Sequence, residues 1–171
     1  MREPPESVIK RALELAAKSP CRSKRGVVVF ATSCGLPIFE GEGFNGPPSG
    51  APCPGRSVCA GTCGQRCVHA EVRAIRRAGW PRYGGPSELV HVELATDGSV
   101  VACDGPGCWQ CSREILDVGF VAGVWLYEVD RRLDDSPEFD GAGVFIESAA
   151  WRRYTAEEFH RVTLRRCGLT P

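Results

Sequence analysis

The chain has no excess of charge, no long apolar run and no internal repeat, and each absence narrows what it can be. Lys plus Arg number 21 and Asp plus Glu number 21, so the formal net charge is zero. A protein that coats polyanions is expected to carry surplus positive charge, which weighs against one. No stretch approaches the ~18 apolar residues of a membrane span; the longest candidate runs from Val118 to Leu126. The first residues, Met1-Arg-Glu-Pro-Pro-Glu, are polar and acidic, without the apolar stretch of a signal peptide. The expectation is a cytoplasmic protein with no membrane partner. What remains is ordinary globular composition, 43% hydrophobic and 25% charged over 171 residues. A chain of this length suits a single domain, 1–171, and can bury ~70% of its unfolded surface without disulfides.

Cysteine departs from this ordinariness, with ten in the chain. In a reducing compartment metal binding explains them better than disulfides do. Cys53, Cys59, Cys63 and Cys67 crowd into the Gly- and Pro-rich segment 45–67. A free loop of that length is uncommon in a compact domain, and a metal is a natural pin for it. Cys108 and Cys111 form a C-x-x-C pair, whereas Cys21, Cys34, Cys103 and Cys167 stand alone. Isolated cysteines such as Cys34, Cys103 and Cys167 read as small buried hydrophobes.

Helical spacing of Val8, Ile9, Ala12, Leu13 and Ala16 predicts a helix over 4–19, ended by Pro20. Residues 25–31 and 36–44 read as an antiparallel strand pair around a turn at 32–35. A helix is expected over 68–78, a strand over 88–95, a turn at Asp97-Gly98 and a short return strand at 100–102. A further helix is expected over 106–117, a strand over 121–127, a weak strand at 144–146 and a last helix over 149–166, within a C-terminal 148–171. The expected architecture is α/β, a three-layer α/β/α sandwich around a mixed sheet of about five strands.

Two elements carry the chemistry. His69-Ala70-Glu71 opens one helix, and Pro106-Gly107-Cys108-Trp109-Gln110-Cys111 opens another. One imidazole and two thiolates make a three-ligand zinc site with a fourth position open. Cys108 and Cys111 share a helix face and lie in the first turn, where the partial positive charge favours thiolates. Glu71 is the candidate for proton transfer. Its offset of two from His69 does not put the pair on one helix face, so spacing alone does not show that they converge.

At these residues the chain resembles the zinc-dependent cytidine and deoxycytidylate deaminases, whose signature is H-x-E followed by P-C-x-x-C. His69-Ala-Glu71 matches fully; Gly107 separates Pro106 from Cys108. Gly43-Phe44-Asn45-Gly46-Pro47-Pro48-Ser49-Gly50 looks like a segment of deoxycytidylate deaminases whose Asn binds the substrate sugar. The resemblance covers roughly residues 5–127. It implies a cytidine deaminase-like fold and hydrolytic deamination of a free cytosine nucleotide or nucleoside. It assigns catalytic zinc to His69, Cys108 and Cys111, proton transfer to Glu71, the sugar to Asn45 and a ring hydrogen bond to the backbone around Ala70. It also implies a second, structural zinc at Cys21, Cys53, Cys59 and either Cys67 or Cys63, and a homo-oligomer. Arg73 stands where the family commonly has Asn, placing a cation that can serve a phosphate or exclude the usual one. The stretch 96–106 is longer than the family's link and is expected at the pocket rim.

Other readings exist for the same residues. Asn45 also suits a plain turn before Gly46. Trp109 reads as packing or as a stacking platform; His91, in mid-strand, and His160 do not read as ligands. Arg152, Arg153, Arg161, Arg165 and Arg166 beside aromatic residues allow a deaminase of single-stranded nucleic acid. They equally suit an amphipathic helix with a solvated basic face. Duplex nucleic acid is not expected as a partner. A zinc-stabilised interaction module without activity would leave Glu71 without a purpose.

Overall fold

The computed structural model describes residues 3–48, 67–79, 85–103, 108–129 and 149–169. In chain order these form α1 (Glu6–Ala17), β1 (Lys24–Ser33), β2 (Leu36–Phe44), α2 (Ala70–Ala78), β3 (Ser87–Leu94), β4 (Val100–Val101), α3 (Trp109–Asp117), β5 (Val121–Val129), β6 (Ala149–Tyr154) and α4 (Ala156–Arg166). The sheet runs β2-β1-β3-β5-β6, with β4 beside β3. Only β3 and β5 are parallel; the other pairs are antiparallel, so the sheet is mixed.

Alternation along the strands sorts side chains into two cores. Val28, Phe30, Val90, Val92 and Trp125 face α1, which contributes Val8, Ala12, Leu15 and Ala16. Val27, Val29, Leu89, Val124 and Leu126 face the other way, toward Ala74 and Ile75 of α2, Ile115 of α3 and Phe159 of α4. The result is the expected α/β/α sandwich, with one helix on one face and three on the other. No helix among the described residues is long and apolar enough to cross a membrane.

The hairpin turns at Cys34 and Gly35, whose φ values of 51° and 78° give both central residues the handedness that a tight two-residue turn requires. Cys34 is thereby exposed, as is Cys167 after α4, whereas Cys103 is buried. Of the three cysteines read as buried hydrophobes, Cys34 and Cys167 thus depart from that expectation, because each sits where the chain reverses or a helix ends.

The largest correction concerns the C-terminal segment, expected as one helix from 149 to 166. Residues 149–154 instead form β6, paired with β5 from Val124↔Tyr154 to Val129↔Ala149. Tyr154 turns into the core and gives a hydrogen bond of 2.6 Å to Glu128, while Arg153 pairs with Glu88. The helix starts only after Thr155, which accepts from Glu158 N while the Glu158 carboxylate accepts from Thr155 N. Of the basic residues once placed on a single helix, Arg152 and Arg153 therefore belong to a strand. The suggested strand at 144–146 lies outside the described residues.

Candidate metal centre

α2 is seated by what its neighbours lack. Ala70, Ala74 and Ala78 form a small stripe along one side of the helix, facing Gly41 and Gly43 of β2. A Cβ on Gly43 would lie 2.4 Å from Ala70 O, and one on Gly41 would lie 2.2 Å from Ala74 O. Only glycine lets helix and strand backbones approach this closely. His69 is the N-cap of α2 and Cys108 the N-cap of α3, both with extended backbone and neither capping its helix with its side chain. Cys111 follows in the first turn of α3. The side chains released from capping meet: the ligand atoms of His69, Cys108 and Cys111 lie within 4.8 Å of one another, and His69 Nδ1 is 3.0 Å from Cys111 Sγ.

Electrostatics agree with a cation site. Hydrogen bonds from Cys111 and His69 push Cys108 down to about 4, so it is a thiolate at neutral pH. The bond with Cys108 and then burial push the Cys111 thiol up, and the same Cys108 thiolate raises the His69 pKa. Without a cation, therefore, Cys108 carries the negative charge of the cluster and its two neighbours hold their protons more tightly. Donors of this kind and mutual spacing can hold a metal ion.

Glu71 is buried in the first turn of α2, and its Oε2 has no hydrogen-bond partner among the described residues. Burial opposes its charge, its own backbone N–H and the Arg25 guanidinium favour it, and its pKa is lowered. His91 is the residue that sequence reasoning set aside. It is no part of the triad, but its Nδ1 lies 3.7 Å from Glu71 Oε1. The available signal was its register: it alternates with Leu89 and Glu93 and lies opposite Val27, which places it on the face that α2 covers. Arg25 shares that face, and its guanidinium pairs with Glu93 at 3.1 Å. His160 is no part of the cluster; its Nδ1 lies 3.0 Å from Ser112 Oγ.

The remaining predicted residues sit around this centre. Asn45 Oδ1 accepts from Arg25 N at 2.8 Å and from Ser19 Oγ at 2.7 Å, and its Nδ2 donates to Ser23 O at 2.7 Å. It thus ties the end of α1 to the start of β1 and keeps one amide hydrogen for another partner. Ala70 is fully buried as the first residue of α2. Arg73 donates to the carbonyls of Gly46 and Pro47 and lies 5.2 Å over the Phe44 ring, clasping the Asn45 loop. Cys21 and Cys67 both bear electrostatically on Arg73, and the Gly46↔Val68 bridge closes the base of the Cys-rich segment. Cys53, Cys59 and Cys63 lie outside the described residues. Trp109 is exposed beside Cys108. Within 96–106, β4 pairs with the end of β3, and Cys103 bridges Glu128 at the end of β5.

No protein-family model and no curated protein matches the chain. Solved structures similar to it include the dCMP deaminase from cyanophage S-TIM5 in complex with dCMP and dUMP. That match has a TM-score of 0.42 and 20% identity, and covers 68% of this chain and 79% of that one.

Proposed function

We propose that the protein is a zinc-dependent hydrolytic deaminase that converts a free cytosine nucleotide or nucleoside, deoxycytidylate first among them, to the uracil form with release of ammonia. The observation that carries this reading is the His69–Cys108–Cys111 cluster together with a buried non-ligating carboxylate, Glu71. A purely structural metal site has no need for such a carboxylate. The H-x-E and C-x-x-C motifs supply the same residues in the same order.

Two thiolates and an imidazole suit zinc, and three protein ligands are typical of catalytic zinc sites. When bound, zinc supplies the Lewis acidity that makes water a nucleophile near neutral pH. Glu71 accepts a proton from the attacking water and passes it to ring N3; it then takes the proton of the new C4 hydroxyl and delivers it to the amine as the C4–N bond breaks, leaving a C4 carbonyl and ammonia. Its unpartnered Oε2 is the atom for these transfers. The backbone at Ala70 holds the ring, and the spare Asn45 amide hydrogen holds the sugar. Arg73 keeps the Asn45 loop in place and lends positive charge to a substrate phosphate. A second zinc at Cys21, Cys53, Cys59 and Cys67 or Cys63, a homo-oligomeric assembly and a cytoplasmic location belong to the same proposal.

The test is an ultraviolet and ammonia assay of the metal-loaded protein against deoxycytidylate, cytidine, cytosine and a cytosine-bearing oligonucleotide. Turnover of a monomeric compound is expected. Glu71→Gln should reduce it by about 10²–10⁴-fold with metal content unchanged. Absence of turnover for every monomer would sink the reading, and activity on the oligonucleotide alone would favour the nucleic-acid alternative.

A further inference from the structure

Beneath Glu71, the sheet presents one polar ring among apolar neighbours. His91 lies between Val27 of β1 and Leu126 of β5 in register, both essentially inaccessible to solvent. Its side chain is 5% exposed and that of Glu71 3%. Burying an imidazole without partners is costly, and a histidine kept only for packing would have both nitrogens satisfied. Here Nε2 has no hydrogen-bond partner among the described residues, while Nδ1 is 3.7 Å from Glu71 Oε1. No side chain among the described residues lies within hydrogen-bond distance of the Glu71 carboxylate, and His91 is its ion-pair neighbour. The other charged groups facing His91 are Arg25 and Glu93, which pair with each other, and His69 in the metal cluster.

We propose that His91 is a positioning residue: its Nδ1–H holds Glu71 Oε1, fixing the rotation of the carboxylate and leaving Oε2 for proton transfer. Burial pushes the His91 pKa down, which keeps the ring neutral. At 3.7 Å the pair is beyond hydrogen-bond distance in this ligand-free structure; catalytic contacts are often long without substrate and tighten when it binds. The role rests on the deaminase reading, but the contact itself does not.

Two measurements test it. The chain holds three histidines, so selective ¹⁵N labelling of imidazoles gives a readable NMR spectrum of the metal-loaded protein. The expected result is a neutral His91 with its hydrogen on Nδ1, perturbed in Glu71→Ala. A hydrogen on Nε2, or signals indifferent to Glu71→Ala, overturns the proposal. In kinetics, His91→Leu should lower kcat by about 10–100-fold, the usual cost of losing an orienting partner, with KM and metal content unchanged. His91→Asn, whose amide places an N–H where Nδ1 sits, should recover most of the loss. Wild-type kcat in His91→Leu, or no rescue by Asn, overturns the role. A wild type inactive on every cytosine compound sinks the deaminase reading, and the NMR result still decides the contact.

Discussion

Three helices lie on one face of the sheet, and they begin in two different ways. α4 starts with a reciprocal capping box, Thr155 with Glu158, that satisfies two otherwise unpaired backbone groups. α2 and α3 start with His69 and Cys108, neither of which caps its helix. Ser, Thr, Asp and Asn are the residues favoured at this position, typically worth about 1 kcal/mol over a non-capping residue. The molecule therefore has a conventional solution available and does not use it at the two helix starts that face each other. What those two ends gain is a pair of side chains free to meet Cys111, with two helix dipoles behind them favouring thiolate.

Breaking the ligand set should have the largest effect. Cys111→Ala should remove the metal and with it all turnover, as read by metal analysis and assay; an active variant with metal retained would contradict the cluster. Next comes the thiolate at the cap of α3. In metal-free protein, alkylation of Cys108 should persist in mild acid and fall only as pH drops through about 4. An ordinary thiol, protonated below ~8.5, would already be slow at neutral pH. The smallest effect concerns a cap alone. Thr155→Ala should lower stability by about 1 kcal/mol and leave kcat unchanged. A loss of activity in that variant would show that α4 is tied to the centre more tightly than its cap implies.

Much of this was legible from residues alone. The bounds of β2 emerge as read, 36–44, because the alternating run is fenced by a turn on one side and Asn45-Gly46 on the other. The triad was legible because each ligand group opens a helix, and helix starts are marked in sequence. β6 was not, since Ala-Ala-Trp-Arg-Arg-Tyr has no decisive period and its strand conformation is settled by the pairing edge that β5 offers. Thr155-x-x-Glu158 did hold the clue to the true helix start. His91 escaped because its importance depends on which face of β3 is covered by α2, a fact of tertiary register rather than of local pattern.

The glycines of β2 have a consequence for how the protein tolerates change. The height at which α2 rides over the sheet is set by two hydrogen atoms, one on Gly41 and one on Gly43. A single methyl group there acts as a shim under a lever: it lifts the helix that begins at His69 and carries Glu71. Positions with no side chain, and no chemistry of their own, are thus as exacting for the alignment of the centre as the reactive groups themselves.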